Sequence, residues 1–200
     1  VTTGIEVTGR SLLMPNAKAT YSFVAKGTVD VPQDVVWSVS GNTDADTKIN
    51  QDGLLSLGTN EKSKVLTVQA VHKNNDDIMT YTKEVSICYD ILGPDAIKVK
   101  DKANYHVGEF TGVNTEWIVT GNTSADTVMK NNTLQIGSDE TADFVQICYR
   151  NADDVTEQIT KVISVKQYIT DVHVYGDSSI QKGKQSDYKA FVKGSDGADK

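Results

Sequence analysis

Along most of the chain apolar and polar residues alternate with period two, in short runs rich in Val, Ile, Thr and Tyr that are broken by Gly, Asn and Asp. Alternation of this kind places successive side chains on opposite faces, so it predicts short antiparallel strands; no stretch of useful length has a helical period. The runs predict strands at residues 4–8, 19–26, 35–40, 54–57, 64–72 and 79–88, then at 96–99, 104–109, 115–120, 133–136, 143–150 and 156–165. One face of each is apolar: Tyr21, Phe23 and Ala25; Val35, Trp37 and Val39; Leu66, Val68 and Ala70; Val85 and Ile87. The later set is Trp117 with Val119, Val145 with Ile147 and Tyr149, and Ile163 with Val165. A strand with one apolar face needs a second sheet to cover it, which makes the expected fold an all-β, two-sheet sandwich. On this register Cys148 points away from Ile147 and is expected to be a surface or edge thiol.

The pattern also recurs. WSVSGNTDADT, from Trp37 to Thr47, returns as WIVTGNTSADT from Trp117 to Thr127, and KNNDDI at 73–78 matches RNADDV at 150–155. A third copy opens near Ile169, where Val172, Val174, Gly176, Tyr188, Lys193 and Gly194 follow Ile5, Val7, Gly9, Tyr21, Lys26 and Gly27 at one constant spacing. A period of about 80 residues predicts a linear array of small domains. We expect a first domain at 1–89, a second at 90–167, and the first strands of a truncated third at 168–200. The junctions at 88–94 and 166–170 are short and partly apolar, so a stiff rod is expected. The start at Val1 and the stop within the third copy lead us to expect a processed or excised piece, with the third copy completed by a longer chain or by strands of another.

Charge narrows the partners. The net charge of −7 opposes binding to nucleic acid or to an anionic membrane, and no apolar run is long enough for a membrane span. Cys88 and Cys148 fall in different modules at non-equivalent positions, and neither has a second Cys or His at metal-ligand spacing.

Several residues could carry chemistry. His72, His106 and His173 are isolated, one per module, with no nucleophile in a recognisable motif beside them. Asp44, Asp46, Asn50 and Asp52 are oxygen donors, yet Lys48 and Ile49 occupy the fifth and sixth places of any EF-hand register begun at Asp44. Solvated turn residues are the expectation for this run. The sequons at Asn122 and Asn131 read as coincidence. Trp37 and Trp117 could stack on a sugar but lie on apolar strand faces, which favours the core. A ligand would better suit the strand edges or the loops at 74–77 and 151–154. No catalytic residue, cofactor or metal site is expected.

VVWSVSGNTDADTKINQDGLLSLGTNEKSKVLTVQA, from Val35 to Ala70, resembles the bacterial immunoglobulin-like domains, particularly those of the group 2 type. The first module matches across nearly its whole length. The second keeps Trp117, Gly121, Leu134, Ile136, Gly137 and Glu140 but has Asn132-Thr133 in place of Gly53-Leu54. The resemblance implies tandem immunoglobulin-like sandwiches packed around the tryptophan without an antibody-type disulfide. It also implies an extracellular setting, on a bacterial surface protein or the exterior of a phage virion. The expected function is a non-enzymatic spacer, with neighbouring domains or envelope and virion proteins as partners. An adhesive module that recognises cell-wall glycan or a host protein is the alternative, and an array presenting an enzyme domain elsewhere is a third. An exposed aromatic patch, or a loop that differs sharply between modules, would favour binding.

Overall fold

The computed structural model describes residues 2–27, 34–74 and 77–195, and its regular structure is all β. Two compact units divide it: Val1–Ile91 with Val107–Glu116 and Tyr149–Ile159, and Leu92–His106 with Trp117–Cys148 and Thr160–Lys200. The chain opens with β1 (Thr2–Thr8), β2 (Leu12–Leu13), β3 (Lys18–Thr20), β4 (Ser22–Gly27) and β5 (Val35–Ser40). It continues with β6 (Lys48–Ile49), β7 (Leu54–Ser56), β8 (Val65–Asn74) and β9 (Asp77–Ile87). One sheet has the order β2-β9-β8-β5, with β2 parallel to β9; a second has the order β3-β7-β6; β1 pairs with β4.

The faces read from alternation are the ones that close on each other. Trp37, Leu66, Val68, Ala70, Val85 and Ile87 of the four-stranded sheet share one buried cluster with Ala19 and Leu55 of the three-stranded sheet and with Val7, Tyr21 and Leu57. The run expected as one strand at 19–26 is instead two, because the chain leaves the β3-β7-β6 sheet at Tyr21 and pairs with β1. The short strands β2 and β6 carry too few residues for a period-two signal, and sequence alternation misses them.

The strands β10 (Ala96–Lys98), β11 (Lys102–Asn104), β12 (Thr115–Thr120), β13 (Val128–Lys130), β14 (Thr133–Gln135), β15 (Phe144–Asn151) and β16 (Gln158–Lys166) repeat this plan. Their sheets have the orders β10-β16-β15-β12 and β11-β14-β13, with β10 parallel to β16. Two expectations fail here. The strand at 104–109 stops at Asn104, and where the first copy pairs β1 with β4 the second has only the bridge between Leu92 and His106. Cys148 is buried rather than at the surface, since β15 lies inside its sheet between β16 and β12 and a small thiol there is flanked on both sides. Replacement of Gly53 by Asn132 is accommodated by moving the left-handed residue one place earlier: Gly53 has φ of 78° in the first copy, Asn131 has 51° in the second. Asn tolerates that conformation better than other residues with a Cβ.

The third copy supplies β17 (Ile169–Tyr175) and β18 (Lys189–Gly194), which pair antiparallel. Their register reproduces β1 on β4, including the irregularity after the first pair: Thr2↔Gly27 and Gly4↔Lys26 become Ile169↔Gly194 and Asp171↔Lys193. All three copies share one tyrosine device. The O–H of Tyr21 donates to Arg10 O at 2.8 Å, that of Tyr105 to Pro94 O at 3.1 Å and that of Tyr188 to Asp177 O at 2.7 Å, each across 11 residues. The glycine just before each acceptor, Gly9, Gly93 or Gly176, lies flat on the tyrosine ring, where a Cβ would collide with it. Burial pushes the Tyr21 and Tyr105 phenols up to about 12, so both stay protonated as donors.

The repeated GNT-x-ADT string is explained by a buried carboxylate. Glu61 accepts from Thr43 N at 2.9 Å, Thr43 Oγ1 at 2.7 Å, Thr47 Oγ1 at 2.7 Å and Ser63 N at 2.9 Å. Glu140 accepts from Thr123 N at 2.9 Å, Thr123 Oγ1 at 2.6 Å, Thr127 Oγ1 at 2.6 Å and Ala142 N at 3.0 Å. Asn42 and Asn122 each close the same turn by donating Nδ2 to a carbonyl two residues on, at 2.8 Å. Thr47 and Thr127 hydroxyls in turn accept from Gly58 N and Gly137 N, both at 2.9 Å. Burial raises the carboxyl pKa, but the hydrogen bonds outweigh it and hold both groups at about 2, below their ordinary 4.5.

Two predictions follow from these devices. Gly9→Ala should destabilise the chain markedly because the new methyl meets the Tyr21 ring, whereas Gly4→Ala, with nothing within 4 Å, should be tolerated. Urea-unfolding midpoints of the two variants test this, and equal midpoints would refute it. The glutamates should make the fold acid-sensitive. Above pH 4.5 they are ionised in both states and their contribution is complete; as pH falls towards 2 only the unfolded chain takes up protons, so stability drains away across that window. Glu140→Gln should cost about 2 kcal/mol at pH 7 and flatten the acid dependence of unfolding free energy measured between pH 5 and pH 2.

Candidate functional site

The three histidines occupy unlike surroundings. His72 is fully buried on β8, its Nδ1 2.7 Å from Asp34 O and its ring against Phe23 at 5.4 Å, as a core residue would be. His106 is exposed and takes part in the backbone bridge to Leu92. His173 is exposed on β17, with Nε2 2.6 Å from Asp171 Oδ2. Among the described residues no group of three or more His, Cys, Asp or Glu converges as a metal site.

The acidic run uses its oxygens on its own backbone. Asp44 Oδ1 accepts from Asp46 N at 2.9 Å and Oδ2 from Asn60 N at 2.9 Å, while Asn50 Oδ1 accepts from Asp52 N and Leu54 N. In the second copy Ser124 stands for Asp44 and its Oγ accepts from Asp126 N at 3.1 Å. Trp37 is buried beside Tyr21, ring centroids 6.4 Å apart, and Trp117 is half-buried on β12. Cys88 is half-buried, and its Sγ donates to Asp90 O at 3.5 Å.

The two loops named as ligand candidates differ. In the first, Asn74 at the end of β8 pairs with Asp77 at the start of β9, and Asn75 and Asp76 lie outside the described residues. In the second, β15 ends at Asn151 and β16 begins only at Gln158. Asn151 Oδ1 accepts from Asp153 N at 2.9 Å, and Thr156 bonds to the Asp154 carboxylate hold it below the ordinary range. Within this loop Glu157 is 1% exposed and unanticipated from sequence. It takes the Arg10 guanidinium at 2.5 and 3.3 Å and Asn151 Nδ2 at 2.9 Å, and Asn16 Nδ2 donates to Thr156 O at 3.2 Å. Arg10, Lys18, Thr111, Asn151 and Asp153 line an open groove of about 510 Å³ beside this pair, all within the first compact unit. A single Arg and a single Glu 147 residues apart carry no periodic signal, so sequence inspection could not join them.

The surface that alternation did not single out is the β17–β18 hairpin. One of its faces presents His173, Tyr175 and Phe191, all exposed, with Tyr175 edge-on to Phe191 at 5.4 Å and His173 6.1 Å from Tyr175. Lys193 joins these rings in lining a shallow groove of about 480 Å³. The signal was present in the sequence, as aromatic residues at alternate positions of a strand whose first-copy counterpart is polar there.

No family model and no curated protein matches this sequence. Solved structures that resemble it include extracellular domains 3–5 of Drosophila OTK, at 13% identity and a TM-score of 0.30, over 82% of this chain. The chain spans 62% of that OTK chain. Human protocadherin-24 EC1-2 is similar at 10% identity and a TM-score of 0.31, over 83% of this chain and 99% of that one. The Bacteroides ovatus mixed-linkage glucan utilization locus protein SGBP-B, solved with a mixed-linkage heptasaccharide, is similar at 10% identity and a TM-score of 0.27, over 92% of this chain and 59% of that one. The chain is all β.

Proposed function

We propose that this chain is a tandem array of immunoglobulin-like modules of the bacterial group 2 type, at 1–89, 90–167 and 168 onward. It serves as a non-enzymatic spacer on the outside of a bacterial surface protein or phage virion. The observation that carries this reading is where the buried polar groups are spent. Glu61 and Glu140 hold their own turns, Tyr21 and Tyr105 hold their own chain entries, and Glu157 is engaged by Arg10 and Asn151. An active site instead leaves polar groups aimed at a ligand. In the modular division Arg10 belongs to the first module and Glu157 to the second, so their ion pair would fasten one repeat to the next, as a spacer that transmits position requires.

Two measurements test this. Immunogold labelling with antibody against the chain, on cells and purified phage of the source culture, should decorate the envelope or the virion; label confined to the cytoplasm would overturn the setting. Arg10→Ala leaves the Glu157 carboxylate buried without its cation, at a cost of roughly 3–5 kcal/mol, and should open residues 152–157 to limited proteolysis. Unchanged cleavage would remove the fastening from the argument.

A further inference from the structure

The third copy rebuilds the entry unit of the first down to single hydrogen bonds. Besides the β1–β4 register and the tyrosine device, it keeps the turn between the places of β2 and β3. Ala17 N donates to Met14 O at 3.2 Å around Asn16 with φ of 62°, and Lys184 N donates to Gln181 O at 3.0 Å around Gly183 with φ of 82°. The apolar positions of the unit also stay apolar: Ile5, Val7, Leu13, Tyr21, Phe23 and Ala25 correspond to Val172, Val174, Ile180, Tyr188, Ala190 and Val192. Their burial does not carry over. Val7, Leu13 and Tyr21 are 6%, 0% and 1% exposed, whereas Val174, Ile180 and Tyr188 are 64%, 47% and 54% exposed.

The first copy shows what buries such a face. Val7, Leu13 and Tyr21 share a cluster with Trp37 of β5, Leu66 and Val68 of β8 and Val85 of β9, and Phe23 packs against it. The same later strands draw out the middle of the entry unit, since β2 forms on β9 and β3 on β7. In the third copy residues 176–188 form no strand. It thus has what its own residues can make of the entry unit, without the two features that the first copy takes from β5–β9. An apolar sheet face of this kind is disfavoured in water unless a second sheet covers it. One substitution marks the covering sheet. Phe23, whose ring lies 5.4 Å from that of the buried His72 of β8, is replaced by Ala190, and Ala25 by Val192. Volume is removed over the place of His72, so a sheet packed to the usual density there needs a larger side chain than imidazole.

We propose that the face formed by Val172, Val174, Ile180, Tyr188 and Val192 is the docking surface for a sheet of the β5–β9 kind, led by a tryptophan strand. This sheet enters from the C-terminal end of β18, as β5 follows β4 in the first copy, and carries a side chain larger than His at the place of His72. The first-copy sheet of a second chain does not fit the role, because its own β1–β4 unit already covers it. The proposal rests on the modular division proposed above and is independent of the spacer role and of the extracellular setting.

The test extends the 200-residue chain with a second copy of its own residues 34–91, joined directly after Lys200; at the constant spacing of the copies Gln33 corresponds to Lys200, so the register continues. Amide hydrogen exchange read by NMR should slow by about a hundredfold or more at Ile180, Ser186 and Tyr188 relative to the unextended chain. These amides lie at the places of β2, β3 and Tyr21, which only a sheet of this kind would order. Val174→Asp in the extended chain should abolish the slowing. Ala190→Phe should slow exchange roughly tenfold further by restoring the contact with the appended copy of His72, and should change nothing in the unextended chain. Amides of β8 and β9 in the first copy verify in the same spectra that each variant is folded. Equal exchange at Ile180 with and without the extension, or slowing that survives Val174→Asp, would overturn the docking surface. No gain from Ala190→Phe would overturn the size assigned to the side chain at the place of His72. A dimer of the unextended chain in sedimentation, with exchange at Val172 and Val174 slowing as concentration rises, would make a second copy the occupant and overturn the proposal. Failed docking together with surface immunogold label would leave the spacer reading standing, while cytoplasmic label with slowed exchange would do the reverse.

Discussion

A carboxylate taken out of water must be met by donors or lose its charge, and that constraint organises each complete module around one glutamate. Glu61 gathers the Thr43 backbone N–H and the Thr43 and Thr47 hydroxyls on one side and the Ser63 backbone N–H on the other, so the loop after β5 and the segment before β8 are set by the same two oxygens. Glu140 does the same for the loop after β12 and the segment before β15. With these loops fixed, the Thr47 and Thr127 hydroxyls are in place to receive Gly58 N and Gly137 N, just after β7 and β14. The strand ends of both sheets are thereby tied, and the apolar faces of Trp37, Leu66 and Leu55 meet in register.

A second constraint acts where the chain enters each copy. The tyrosine that donates back across 11 residues presses its ring on a glycine, so the entry segment and the strand leading away from it are held as a unit. In the first and third copies that unit grows into a paired hairpin, β1–β4 and β17–β18. In the second it is reduced to the Leu92–His106 bridge. The same local device therefore supports different extents of pairing in the three copies.

Departures from the repeat are as informative as the repeat. Glu157 and Arg10 have no counterparts as a pair in the other copies, where Thr80 and Pro94 or Asp177 occupy the matching places. The segment between β15 and β16 carries that buried acid, whereas β8 and β9 pair up to Asn74 and Asp77. The aromatic outer face of β17–β18 is likewise a local divergence on a conserved frame of register. Both depart at positions that leave strand order unchanged.

Period-two alternation is a backbone property, so the sequence by itself determined the all-β class, most long strands and the inward set from Trp37 to Ile163. Internal repetition likewise exposed the third copy, because equal spacing needs no knowledge of contacts. Short strands such as β2 and β13, the break at Tyr21 and the loss of strand at 105–109 depend on which partner strand is free, and no local pattern records that. The GNT-x-ADT string was visible as a repeat but read as solvated turn, since the acid that explains it lies 13 to 18 residues away. Alternation places Cys148 on the face opposite Ile147 and so predicts an exposed thiol, yet it is buried on β15, which lies between two strands of its sheet. Only the tertiary structure decided which distant groups share a buried site, because desolvation acts on whatever the fold brings together and not on neighbours in sequence.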